Sequence, residues 1–280
     1  MNKSKDIHIR KASGETELFD ISKLKHSLTR AGADKSTISI IAEKIMNWLS
    51  EGATTKQIYS YAYKLMREIN QSNALRYKLK QSLLELGETG YPFEHLVGEI
   101  FKRLGFDTEV GKIIDGRCIH HEVDVIATNS NEQKIIECKY SQNQGKHVGI
   151  QVPLYVASRV EDIVFRRKTM SEYKHLHFTA YVITNTRFSE DSIEYAKCAG
   201  IKLMSWDYPE GKALKDLIEK THLFPITILH HLTKKETLYF LEKGIVSCFQ
   251  LKQNLQLLDE LKITGKRKTK LLQEIDSMNM

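Results

Sequence analysis

The stretch "HEVDVIATNSNEQKIIECKY", residues 121–140, decides how this chain is read. Its two apolar runs are broken by charge: Asp124 sits inside the first, and Glu137-Cys138-Lys139 closes the second. A carboxylate or an ammonium on a core-like strand is costly to bury without partners. Either these groups lie at an exposed strand edge, or they hold a metal and a water. Twelve residues separate Asp124 from Glu137, so a hairpin can bring both side chains to one edge. Glu137 and Lys139 are two apart and share a strand face, while Cys138 points the other way. Carboxylates converging on a hard cation, with a further group beside the attacking water, are what Mg²⁺-assisted phosphodiester cleavage requires. The alternative is a cross-strand surface network of Asp124 and Glu137 with Lys134 or Lys139.

Working outward, "GYPFEHLVGEIFKRLGF" places Phe93, Leu96, Val97, Ile100, Phe101 and Leu104 on one helix face that ends at Gly105. Strands are expected at 107–114, 121–128 and 134–140, then a helix over 151–168, a strand at 178–185, a helix over 189–200 and a strand at 201–206. That order is the pattern of an α/β sheet. Before it, a strand-like "IHIRKASGETELFD" with a turn at Gly14 leads into a helix capped by Asp20 or Ser22. Further helices follow over 36–50, starting at a Ser/Thr cap, then over 54–69 and 72–87. After the sheet pattern, residues 221–280 read as helical: "PITILHHLT", "KKETLYFLEKG", "SCFQLKQNLQLLDELK" and "GKRKTKLLQEI". Linkers are expected near 87–91 and 208–222.

The expected fold class is therefore α/β and multi-domain: a mostly helical N-terminal domain (1–88), a central mixed sheet flanked by helices (89–212) and a small helical C-terminal domain (213–280). The chain of 280 residues has no run near the ~18 apolar residues of a membrane span, and its first residues, without an apolar run, are not expected to act as a secretory signal. Its four scattered cysteines fit reduced thiols, so a cytoplasmic location with no membrane partner is expected. Net charge is +7, yet residues 90–220 carry 18 basic against 19 acidic side chains. Attraction for a nucleic acid must then come from the flanks or a local patch. His120 and His121 are adjacent and face opposite sides of a strand, and Mg²⁺ prefers oxygen ligands, so substrate contact suits them better than metal. "FRRK" (165–168) is a phosphate clamp or an ordinary solvated turn.

Asp124 followed by Glu137-Cys138-Lys139 resembles the signature of the PD-(D/E)XK nuclease superfamily, and its flanks are similar to the Mrr-type restriction endonuclease branch. Val123 stands where a proline commonly precedes the aspartate. The resemblance implies a Mg²⁺- or Mn²⁺-dependent deoxyribonuclease acting on DNA. It implies Asp124 and Glu137 as metal ligands, Lys139 beside the nucleophilic water, Glu94 as a further acidic group and Gln151 as a residue that helps hold the site. Gln151 and Tyr155 form a Q-x-x-x-Y pattern on one helix face.

Residues 7–70 resemble the ATP-cone domain, a regulatory adenine-nucleotide module, through Arg10, Lys11, Gly14, Phe19, Asp20 and Lys23. The resemblance implies ATP or dATP bound as an allosteric effector at Arg10, Lys11, Gly14, Phe19 and Lys23. The turn Ala12-Ser13-Gly14 departs from the usual Arg-Asp/Asn-Gly, and no Walker-type loop indicates hydrolysis. "LDELKITGKRKTKLLQEI" resembles a degenerate helix-hairpin-helix, with Ile263, Gly265, Lys266, Arg267 and Lys268 at a phosphate-binding turn. The expected function is a nucleotide-regulated endonuclease in restriction or phage defence, acting as a homodimer or higher homo-oligomer. A structure-specific repair nuclease and a non-catalytic nucleotide-responsive DNA-binding regulator are the rival readings.

Overall fold

The structure, a computed structural model, describes residues 7–11, 14–143 and 145–278. These fall into two compact units: the described residues through Leu79 together with those from Leu272 onward, and Lys80–Leu271.

In the first unit, β1 (His8–Arg10) pairs antiparallel with β2 (Thr16–Leu18). Gly14 closes the connection at φ +89°, a backbone region that other residues adopt only with strain, and its N–H donates to the Lys11 carbonyl at 3.0 Å. Residues 12 and 13, the altered part of the expected turn, lie outside the described residues. Helices α1 (Ile21–Arg30), α2 (Lys35–Trp48) and α3 (Thr55–Ile69) follow, and α4 (Gln71–Leu84) carries the chain past Leu79, where this unit ends. Asp20 caps α1 by accepting the Ser22 N–H, and Thr54 and Gln57 form a capping box on α3. The cap of α2 is Asp34, which accepts the Thr37 N–H, rather than a serine or threonine one turn later. Leu28, Ile41, Ile45, Ala62 and Met66 are fully buried in the core of this unit.

The second unit carries α5 (Tyr91–Arg103), β3 (Asp107–Asp115), β4 (His120–Thr128), β5 (Glu132–Lys139), β6 (His147–Val148), α6 (Gln151–Arg167), β7 (His177–Thr184), β8 (Arg187–Phe188), α7 (Glu190–Ala199) and β9 (Lys202–Met204). The main sheet runs β3-β4-β5-β7-β9. Its first three strands are antiparallel, and β5, β7 and β9 are parallel. On one face, Ile135, Ala180 and Val182 join Val156, Val160 and Ile163 of α6. On the other, Tyr181 meets Phe101 of α5 edge-on, with centroids 5.9 Å apart. The sheet is thus a layer between α5 and α6, which is why its central strands are apolar on both faces.

The helical tail holds α8 (Leu214–Thr221), a single 3-10 turn (Ile226–Ile228), α9 (Lys234–Glu242), α10 (Cys248–Gln253), α11 (Gln256–Glu260) and α12 (Gly265–Asp276). Here the sequence reading needs three corrections. The stretch 208–222 contains α8 and is not merely a linker, because Leu214 and Ile218 form a buried stripe. Of 225–233 only one turn is helical, opened by Pro225 and held by a bridge between Pro225 and Ser247. The helix expected over 247–262 breaks at Asn254 and Leu255, where the Asn254 side chain bonds back to the Gln250 carbonyl. No helix among the described residues is long and apolar enough to cross a membrane.

Candidate active site

The ladder between β4 and β5 stops at Val125 opposite Ile136. One position further on, the Asp124 carboxylate takes over, accepting the Cys138 backbone N–H at 2.6 Å. The strands diverge there, which leaves room for side chains between them. Glu137 is buried and lies on the α6 side of β5, the face that also carries Ile135. Its Oε1 accepts from the Tyr155 hydroxyl and pairs with the Lys139 ammonium at 2.6 Å. Its Oε2 pairs with the Arg159 guanidinium. Gln151, Tyr155 and Arg159 are spaced four apart on α6 and share a face, but the last two alone reach Glu137. Gln151 stands one turn earlier, without a hydrogen bond to the acidic group.

Glu94 lies in the first turn of α5. Burial pushes its carboxyl up to about 7, aided by the negative charges of Asp124, Glu122 and Glu137. Asp124 is pushed up to about 6 by burial and by Glu137, against the Cys138 N–H and nearby cations. Burial acts to lower the Lys139 ammonium, but hydrogen bonds to Glu137 and Tyr155 outweigh it and hold the pKa above the ordinary lysine value. The Tyr155 phenol is raised to about 12, first by burial and then by its bond to Glu137. Three carboxylates, one protonated amine and one guanidinium therefore converge at one end of the β4–β5 pair. Burial and mutual repulsion raise the affinity of these carboxylates for positive charge, whether a proton or a metal cation.

Among the described residues, no three His, Cys, Asp or Glu side chains close into a ready-made cation cage. Both oxygens of Glu137 are engaged by internal cations and a hydroxyl. The donor set is all oxygen, which suits Mg²⁺ or Mn²⁺ and not a thiolate- or imidazole-seeking metal. His121 has a different task. Its Nε2 stands 2.8 Å from Asp162 of α6, whose carboxylate also accepts the Cys118 N–H and is held down to about 2 chiefly by the His121 bond. This fastens the β3–β4 turn to α6. A Cβ at Gly116 would lie 1.9 Å from Asp162 Oδ2, so only glycine fits beneath that clasp. His120 bonds instead to the exposed Asp115 at 2.7 Å. In "FRRK", Arg167 is buried over Tyr173, with 3.8 Å from guanidinium carbon to ring centre, so it is a packing residue.

Two of the N-terminal residues expected to meet phosphates share a carboxylate partner. Lys11 pairs with Glu17 at 2.9 Å, and Lys23 reaches the same carboxylate at 3.4 Å. Phe19 and Lys23 line a cavity of about 180 Å³ with Glu17, Tyr59 and Tyr77, whose rings stack at 4.9 Å. Arg10 contributes a backbone bond to Ala53, and Gly14 forms the turn. In the C-terminal tail, Lys262 and Gly265 both take positive φ, at +54° and +56°, and turn the chain from α11 into α12. Arg267 is tied to Glu236 and to the His231 carbonyl, and Lys268 to Asp259. Lys266, Arg267 and Lys270 line a cavity of about 490 Å³ with His230 and His231.

Sequence reasoning missed Arg159 and Glu122. Arg159 follows Tyr155 by one helical turn, and Glu122 precedes Asp124 by one strand repeat, so both were readable from periodicity once the site was suspected.

With this geometry in hand, the class of the second unit is plain: residues 86–217 match the family model described as restriction endonuclease. Residues 224–278 match a second model, described as AF1548-like, C-terminal. An uncharacterized protein of Archaeoglobus fulgidus is 35% identical over 153 residues, covering 54% of this chain and 81% of that protein. A solved structure titled "Crystal Structure of Protein of Unknown Function AF1548" aligns with a TM-score of 0.54 and 29% identity, covering 67% of this chain and 97% of that one. The chain belongs to one family with the Archaeoglobus fulgidus protein, and its residues 224–278 carry the AF1548-like C-terminal domain.

Proposed function

We propose that this protein is a metal-dependent DNA endonuclease. The observation that carries the proposal is the convergence of Asp124, Glu137, Glu94 and Lys139 inside a domain that matches restriction endonucleases. Asp124 and Glu137 are the metal ligands, with Glu94 adding negative charge beside them. When bound, Mg²⁺ or Mn²⁺ supplies Lewis-acid polarisation and charge neutralisation at a phosphate. Lys139, protonated at neutral pH, donates a hydrogen bond that orients the attacking water and offsets charge developing on the phosphate. Tyr155 fixes Glu137 Oε1. Gln151, one turn before it on the same face, contacts the substrate. Lys266, Arg267 and Lys270 around the C-terminal cavity support a contact with the DNA backbone. Cutting both strands with one such site per chain calls for a dimer or higher assembly.

A second activity, binding of ATP or dATP as an effector, is supported by the cavity beside Phe19 and Lys23. At about 180 Å³ it is below the roughly 300–1,000 Å³ of common ligand sites, so it suits the adenine ring while the phosphates lie outside near Lys11 and Lys23. The test of both is cleavage of plain, nicked, branched and modified DNA with Mg²⁺ or Mn²⁺, with and without ATP and dATP. Cutting confined to branched DNA assigns a repair role. DNA and nucleotide binding with no cutting of any substrate refutes the nuclease in favour of a regulator.

A further inference from the structure

Glu137 faces a conflict. Its side chain is 7% exposed, and a carboxylate that far from water needs compensating charge. The compensation comes from two directions. Lys139 lies two residues along the same strand and moves with Glu137, whereas Arg159 arrives from α6, a separate element. Arg159 Nη1 takes Oε2, the oxygen that Lys139 and Tyr155 leave open. One negative charge is thereby matched by two positive ones. A divalent cation approaching Glu137 meets an occupied ligand, and one of the two internal cations must leave. Arg159 is the one free to go: it comes from α6 while Lys139 is carried on the strand of Glu137 itself, and it rests over the Tyr155 ring at 5.1 Å, which gives it somewhere to stay after the ion pair is broken.

We infer that Arg159 is an internal stand-in for the metal: it holds Glu137 while no cation is bound, is displaced when one takes that carboxylate, and is thereby freed to grip a phosphate of the DNA. The inference rests on the nuclease reading above and assigns a positioning role that none of the sequence motifs contains. A planar fork of donors beside the cation suits a phosphate well, since it can bond two oxygens at once. The exchange also keeps the metal-free site from opening around an uncompensated buried charge.

The test is Mn²⁺ binding by the full chain, measured by isothermal titration for wild type, Arg159→Gln, Arg159→Lys and Asp124→Asn. Removing the competing charge should tighten Mn²⁺ binding by about tenfold or more in Arg159→Gln. Arg159→Lys should stay near wild type, and Asp124→Asn should lose binding. With Mn²⁺ present, Arg159→Gln should bind inorganic phosphate more weakly than wild type. Mn²⁺ affinity in Arg159→Gln equal to or below wild type, with binding lost in Asp124→Asn, overturns the stand-in and leaves the metal site standing. Unchanged binding in Asp124→Asn removes the metal site itself, and the stand-in with it. A measurement on the wild-type protein guards against misfolded variants: the Arg159 Nε–H resonance, assigned by its loss in Arg159→Lys, should shift when Mg²⁺ is added. Mg²⁺ binding that leaves the resonance in place contradicts the displacement.

Discussion

Replacing Asp124 by asparagine should make the metal-free protein more stable while abolishing its response to metal. The folded state pushes the Asp124 carboxyl from the usual 3.8 up to about 6, through burial and the charge of Glu137. At 1.36 kcal/mol per unit, a shift of about two units makes the ionised folded form cost about 3 kcal/mol as an upper bound. Coupling to Glu94 and Glu137, together with solvent at the site, reduces this to about 1–3 kcal/mol. The sign follows from proton binding. A carboxyl with a raised folded pKa binds more protons folded than unfolded, so its contribution favours folding at low pH and is lost as pH climbs from about 4 to about 6. Asparagine keeps an oxygen for the Cys138 N–H and carries no charge. Urea unfolding in EDTA should therefore show Asp124→Asn more stable than wild type by about 1–3 kcal/mol at about pH 8, with little difference near about pH 4. Saturating Mg²⁺ should then cancel or reverse that difference: wild type gains about 2.7 kcal/mol at a concentration about a hundredfold above Kd, and the variant gains nothing. A variant that is less stable than wild type at alkaline pH, or that gains as much from Mg²⁺, refutes the account of a repulsive acidic cluster awaiting a cation.

Three further outcomes follow from other parts of the structure. Lys139→Ala should lower cleavage by about 10²–10⁴-fold while Mn²⁺ still binds, because the ammonium positions the water without holding the metal; undiminished cutting contradicts this. Gly98→Ala places a methyl 2.9 Å from Val110 Cγ2 in the seam between α5 and the sheet, and chemical denaturation should show a loss of about 1–3 kcal/mol; wild-type stability would mean that seam is loose. Lys11→Ala combined with Lys23→Ala should weaken ATP or dATP binding at least about tenfold, and no binding by the intact protein at millimolar nucleotide ends the effector reading.

Much of the second unit was legible because its signals are local. The apolar face of α5, the strand runs and the Asp124/Glu-x-Lys spacing each sit within one element or one hairpin. What escaped depends on contacts between elements. Arg159 carries no motif of its own, and its meeting with a buried glutamate is made only when α6 is laid across β5. His121 reads as a candidate for substrate contact until Asp162, 41 residues later, claims its ring nitrogen. The pairing of Lys11 and Lys23 with one carboxylate escaped for the same reason, because the sequence does not reveal that β2 turns Glu17 toward both. In the tail, the periodicity of 247–262 hides a break that an asparagine side chain makes by bonding the preceding turn. Pairings across a fold escape periodicity, and here they decide which charges remain available for function.

The most direct test of the central claim is nicking or linearisation of supercoiled plasmid by the wild-type chain and by Asp124→Ala, with Mg²⁺ or Mn²⁺ and again in EDTA. The account predicts cutting by wild type that needs the cation and is absent in the variant. Cutting that survives in Asp124→Ala, or that proceeds equally in EDTA, would contradict it.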